Sequence, residues 1–235
     1  MQTTTAKIRF DKSGYYFIGL MVLAFAGFWK SYFSKFFSGT NDYNFYFHFH
    51  AIMMVLWVAV LIIQPLLIRK KKMHIHRSIG KFTYVLMPVM LLSVLLILNS
   101  GLKHAPVAER TFANIIFPVR DFFFLFSFFS IGVVYRHNLQ LHARAMILTG
   151  IVFIEPALFR ILGNLVGQAG IYVGIFIILS LLIALIFLER KQKTARWLFP
   201  SFLIVDAIVY LILIAQVPLS FLDPVVRWFS NLPLT

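Results

Sequence analysis

The sequence predicts an all-α fold: a polytopic membrane bundle of about seven transmembrane helices, forming one domain over residues 1–235. Three observations predict it. Only 13% of the 235 residues are charged and 60% are hydrophobic, whereas a soluble domain carries roughly 25% charged residues. Seven apolar stretches are each long enough to cross about 30 Å of hydrocarbon at roughly 1.5 Å per residue. The Lys and Arg residues crowd into alternate connections, which is the pattern that orients membrane helices.

The first stretch, 14–37, follows Lys7, Arg9 and Lys12. Ala24-Phe25-Ala26 has the small-residue form of a signal-peptidase site, but apolar and aromatic residues continue to Phe37. A retained helix is therefore expected. The remaining spans are expected at 44–68, 79–99, 112–135, 143–166, 169–188 and 197–220, joined by short polar connections. The tail 221–235 carries Arg227, Trp228 and Phe229 and reads as a segment lying in the membrane interface.

Loop charge gives the expected orientation. Fifteen of the 22 Lys and Arg lie at the N-terminus (Lys7, Arg9, Lys12), in 69–81 (Arg69, Lys70, Lys71, Lys72, Arg77, Lys81), in 136–144 (Arg136, Arg144) and in 190–196 (Arg190, Lys191, Lys193, Arg196). The opposite side has five: Lys30, Lys35, Lys103, Arg110 and Arg227. Positive loops stay cytoplasmic, so the N-terminus is expected inside and the C-terminus outside a cell membrane, such as a bacterial inner membrane. The net charge of +14 belongs to these short loops. It therefore points to anionic lipid headgroups at the cytoplasmic face and not to nucleic acid. Cysteine is absent, which excludes disulfides, thiolate nucleophiles and Cys-ligated metals. There is no G-x-S-x-G, P-loop or G-x-G-x-x-G motif, so no enzyme class is indicated.

Five ionisable residues fall inside the expected spans: Arg120 and Asp121 in the fourth, Glu155 and Arg160 in the fifth, Asp206 in the seventh. Arg120, Glu155 and Asp206 lie near mid-bilayer. A charge there costs at least about 2.5 kcal/mol unless paired or hydrated, so these residues are expected to face inward and meet. Arg120 is expected to pair with Glu155, and Arg160 with Asp206 or Asp121. Prolines at 65, 88, 118 and 156 each free a backbone carbonyl within a span. These residues, with His50 and Gln64 near an outer entrance, compose a buried polar cavity for a proton, ion or small amphiphile. A salt-bridge network that only fixes helix contacts is the competing structural reading.

Helix two carries a stripe in which His50, Trp57 and Gln64 recur every seven residues and share one face. His48, Tyr43 and Tyr46 lie near its outer boundary, where an aromatic belt is the simpler account. At the basic end, His76 precedes the third span and His142 the fifth, at matching depth. Two such imidazoles form a candidate pair for one b-type heme or one metal, or else join the arginines on lipid phosphates. No H-E-x-x-H spacing supports a hydrolytic metal site. The phenylalanine-rich run 122–129 suggests a third role, a non-catalytic subunit or assembly factor facing a membrane-protein partner.

The segment from His48-x-His50 through Trp57, Gln64-Pro-Leu-Leu-Ile68 and His76-Arg-Ser-Ile-Gly80, then His142-Ala-Arg-Ala-Met146 and Glu155-Pro-Ala-Leu-Phe-Arg160, resembles a family of uncharacterised bacterial multi-pass membrane proteins, known as a domain of unknown function. The resemblance covers residues 43–166 and implies no activity. Through His76-Arg-x-x-Gly80 alone the chain is similar to ferric-reductase and cytochrome b561-type heme membrane proteins. Those place two histidines about a dozen residues apart in one helix. That spacing is missing here, which argues against a two-heme electron wire and leaves one inner heme between His76 and His142 as an alternative to the polar cavity.

Overall fold

The computed structural model describes residues 12–104, 112–190, 195–217 and 220–235. Lys7, Arg9, Arg110, Lys191 and Lys193, used above for orientation, lie outside the described residues. Among the described residues every regular element is helical and none is a strand.

The elements are α1 (Ser13–Phe28), a π-helical turn (Trp29–Phe33), α2 (Ser34–Phe37), α3 (Phe45–Arg69), α4 (Met73–His104), α5 (Phe112–Val134), α6 (Leu139–Ile151), α7 (Ile154–Val166), α8 (Ala169–Glu189), α9 (Leu198–Ile214) and α10 (Asp223–Ser230). Asn44 caps α3, its Oδ1 accepting from Tyr46 N (3.1 Å) and Phe47 N (3.4 Å). Asn138 caps α6 in the same way, through Gln140 N and Leu141 N. Each cap satisfies backbone donors that the helix cannot pair for itself.

Six segments are long and apolar enough to cross a membrane: Ser13–Phe37, Phe45–Arg69, Met73–His104, Asn114–Val134, Leu139–Val166 and Ala169–Glu189. The chain has the character of a multi-pass helical membrane protein. The seventh expected span appears as α9, an apolar helix of 17 residues, short of the roughly 20 that a perpendicular crossing uses.

Two boundaries differ from expectation. Residues 73–81, read from their charge as a connection, form the first turns of α4. Exposed cations tolerate helix well, so charge marks the membrane edge without marking the helix end. The span expected at 143–166 is broken into α6 and α7 at Val152–Phe153. Pro156, in the first turn of α7, has no N–H to return to Val152, so the ladder restarts at Ile154. Pro65, Pro88 and Pro118 sit inside continuous helices.

Packing largely follows chain order, with departures that build the site. α3 packs on α4, α5 on α6, α7 on α8 and α8 on α9, while α1 reaches across to α7 as well as α3. At that crossing Gly27 lies so close that a Cβ would stand 2.7 Å from Ala157 Cα. Small residues permit such approaches where lipid removes the hydrophobic drive between helices. α9 also touches α5 and α6, which brings it into the centre. α10 docks on the far end of α4. Asn99 Nδ2 donates to Phe229 O (2.6 Å), Thr235 Oγ1 donates to Asn99 Oδ1 (2.7 Å) and Lys103 Nζ donates to Thr235 O (2.5 Å).

Candidate functional site

The centre of the bundle holds one guanidinium among three carboxylates. Arg120, on α5, donates to Asp121 Oδ1 through Nε (3.0 Å) and Nη2 (2.7 Å). Its Nη2 lies 2.9 Å from Glu155 Oε2, and its Nη1 lies 3.1 Å from Asp206 Oδ1. Three helices supply the set: α5 gives Arg120 and Asp121, α7 gives Glu155, α9 gives Asp206. Side-chain exposures of 5% for Arg120, 6% for Glu155, 1% for Asp206 and 16% for Asp121 make this a closed site. The rings of Phe117, Phe124 and Tyr210 surround the guanidinium, with its carbon 4.9, 5.8 and 5.9 Å from their centroids. They exclude lipid and add cation–π attraction.

Tyr210 completes the cluster. It lies four residues after Asp206, hence on the same face of α9, and its hydroxyl donates to Glu155 Oε2 at 2.5 Å. Glu155 therefore receives a guanidinium and a phenol on one oxygen. It also sits in the first turn of α7, where the helix dipole favours an anion. The α6–α7 break creates that helix start in mid-span. Asp206 is held less completely. Neither of its buried oxygens accepts a hydrogen bond of ordinary geometry, although Arg120 Nη1 is within ion-pair distance. Fully ionised, the four groups set one positive charge against three negative.

The expected Arg120–Glu155 pair is present, but the expected Arg160 pairs are not. Asp121 and Asp206 both turn to Arg120. Arg160 lies on the outer face of α7, five residues beyond Glu155, with its guanidinium 4.2 Å from the Phe28 ring centroid and Nη1 donating to Pro156 O (2.8 Å). An exposed Arg can satisfy itself at the membrane edge on an aromatic face and a local carbonyl.

His50 and Gln64 do not join the cluster. His50 Nδ1 is 3.1 Å from Ser93 Oγ on α4. Ser93 spends its proton on Met90 O (2.6 Å), so the imidazole is the donor. Trp57, between them on the stripe, donates to Thr149 Oγ1 (3.3 Å). Gln64 lies at the basic end, away from the outer boundary expected for it, with Nε2 donating to His76 O (3.2 Å). The seven-residue stripe is a seam between α3 and its neighbours α4 and α6.

His76, in the first turn of α4, and His142, in the first turn of α6, both lie at the basic end. His142 Nδ1 donates to Gly132 O (2.8 Å), leaving Nε2 as its lone-pair nitrogen. His76 Nδ1 is buried without a hydrogen-bond partner, as is Gln64 Oε1 beside it. Among the described residues no group of three or more His, Asp or Glu is arranged to hold a metal ion. In the 122–129 run, Phe124 and Phe128 turn inward and stack on Phe202 at 4.4 and 5.6 Å. Phe123 and Phe126 face outward.

One buried pair was not anticipated. Arg144 Nε lies 2.8 and 2.6 Å from the two oxygens of Glu189, and Nη1 donates to Gln140 Oε1 (2.6 Å) and Gln140 O (3.0 Å). Arg144 is fully buried. Its sequence neighbourhood reads as a basic connection, which hid it. The signal that could have found the pair is depth, since Arg144 opens one expected span and Glu189 closes another at the same membrane edge. Tyr210 had a signal too, its spacing of four from Asp206.

These helices and this interior define a multi-pass helical membrane protein with a buried ion network. No protein-family model matches the chain, and neither a curated protein nor a solved structure matches it significantly.

Proposed function

We propose that this chain binds a proton at the Arg120–Asp121–Glu155–Asp206–Tyr210 cluster and moves it through the membrane. The observation that carries the reading is the Asp206 carboxylate: 1% exposed, flanked by two further acids sharing one arginine, with no hydrogen bond completed to either oxygen. An excess of buried negative charge in a low-dielectric interior is relieved by taking up a proton. The broken α6–α7 span supports the reading, because discontinuous helices with their starts at mid-membrane recur where membrane proteins bind ions or substrates. Seven crossings suit this function. A seventh crossing by α9 is part of this proposal, supported by the start of α9 beside Glu189 at the basic end and by the docking of α10 on the opposite end of α4. The basic end is assigned to the cytoplasm and the protein to the cell membrane.

The test is proton flux into liposomes carrying the purified protein and an internal pH dye, driven by a potassium diffusion potential. Wild type should acidify the lumen faster than empty liposomes, and Asp206→Asn should lose that excess while keeping its thermal transition. Infrared difference spectra should show a protonated carboxyl band that the same variant lacks. Equal flux from Asp206→Asn and wild type overturns the proposal.

A second reading is favoured by one observation. His142 donates Nδ1–H to a backbone carbonyl, the arrangement that presents Nε2 of a histidine to a metal, and His76 Nδ1 lacks a partner nearby. These two nitrogens would be the axial donors of one b-type heme, which would supply one-electron chemistry. Absorbance of protein purified from heme-supplied cells tests it: a Soret band lost in His142→Ala supports a heme, and no band rejects it.

A further inference from the structure

We propose that the cleft between the end of α8 and the start of α9 binds one anionic glycerophospholipid, with its phosphate on Arg190 and Arg196 and its upper acyl chain along Ile186 and Trp197. The cleft measures about 370 Å³ and is lined by those four residues with Glu189, Phe199 and Pro200. It falls at the lower end of the roughly 300–1,000 Å³ typical of small-molecule sites.

Its chemistry is divided as a phospholipid's is. The wall is apolar, and two exposed guanidiniums stand at the rim. The Arg190 guanidinium carbon lies 3.8 Å from the Phe187 ring centroid, which holds the head on the α8 side while its N–H groups remain free to face outward. Guanidinium forks suit phosphate oxygens bidentately. Glu189 is the one acid in the lining and would repel a phosphate, but Arg144 occupies both of its oxygens. The acid is thereby neutralised from inside, and the rim stays net positive. Ala195 has φ +62°, a left-handed backbone that costs a non-glycine residue on the order of 1 kcal/mol. Ala195 directly precedes Arg196 and Trp197, both of which line the cleft. Trp197 is 53% exposed, and Trp beside Arg is the pairing that membrane interfaces favour. The site sits at the end of α8, whose mean hydropathy of 3.1 is the highest of the six membrane-crossing segments, so a headgroup is available at that depth.

The proposal goes beyond the proton reading and is tested without any flux measurement. Delipidated full-length protein in nonionic detergent is titrated with phosphatidylglycerol, with phosphatidylcholine of the same chains, and with soluble glycerol phosphate, and bound lipids are counted by native mass spectrometry. One phosphatidylglycerol should bind per chain, and Arg190→Gln/Arg196→Gln should weaken it about thirty-fold, roughly five-fold per guanidinium. Lys70→Gln/Lys72→Gln, which removes the same charge from the α3–α4 turn, should leave it unchanged. Equal affinity for the two lipids, no loss in the arginine double variant, or an equal loss in the lysine double variant overturns the proposal. Glycerol phosphate binding as tightly as the lipid also overturns it, marking a site for a soluble phosphate instead.

Discussion

Tyr210 Oη and Arg120 Nη2 converge on the same atom, Glu155 Oε2, at 2.5 and 2.9 Å. That shared oxygen ties α9 and α5 to the start of α7, and it concentrates the stability of the bundle centre on a few polar contacts. Lipid supplies no hydrophobic drive between helices, so these contacts weigh more than their number suggests.

Removing Arg120 should be far worse than removing any one acid. Arg120→Gln leaves three buried carboxylates without a cation, and breaking a buried ion pair costs about 3–5 kcal/mol. Asp206→Asn keeps the shape, lowers the negative excess and should change stability by less than about 1 kcal/mol. Thermal unfolding in detergent compares the two, and a transition lower in Asp206→Asn than in Arg120→Gln would contradict the charge argument.

Tyr210→Phe removes one hydrogen bond to a charged acceptor without changing the ring. A loss of about 1.5–3 kcal/mol is expected, with proton flux altered through Glu155 while Asp206 keeps its contact with Arg120. Differential scanning fluorimetry reads the first effect and the liposome assay the second.

The Arg144–Glu189 pair should behave as a coupled unit. Arg144→Leu alone buries an unpaired carboxylate and should cost about 3–5 kcal/mol, whereas Arg144→Leu/Glu189→Leu should recover most of that loss. A double-mutant cycle on unfolding free energies measures the coupling, and additive losses would show that the two side chains act separately.

Gly27 and Gly19 lie on the same helix with opposite surroundings. A Cβ at Gly27 meets the Ala157 backbone, while one at Gly19 meets nothing within 4 Å. Gly27→Ala should force α1 from α7 and destabilise by about 1–3 kcal/mol, shifting Glu155 two residues away. Gly19→Ala should be neutral or slightly stabilising, as Ala replaces Gly in a helix. Unfolding temperatures of the two variants, run in parallel, decide it.

The sequence by itself determined the helical, membrane-spanning character of this chain, its apolar segments and the inward burial of Arg120, Glu155 and Asp206. These follow from local quantities: the length of an apolar run and the cost of a charge in hydrocarbon. It marked Pro65, Pro88, Pro118 and Pro156 alike as points where a backbone carbonyl is freed, and did not distinguish Pro156, where the helix breaks, from the other three, where it continues. Only the tertiary structure decided who meets whom. Arg160 and Arg120 are both basic residues within expected spans, yet one stacks on Phe28 and the other gathers three acids. Which side of a helix faces the centre depends on how neighbouring helices rotate and cross. The stripe of His50, Trp57 and Gln64 shows the same limit, since a seven-residue period defines a face without defining the helix it will touch. The Arg144–Glu189 pair shows it most plainly: Arg144 reads as part of a basic connection until the fold buries it against Glu189.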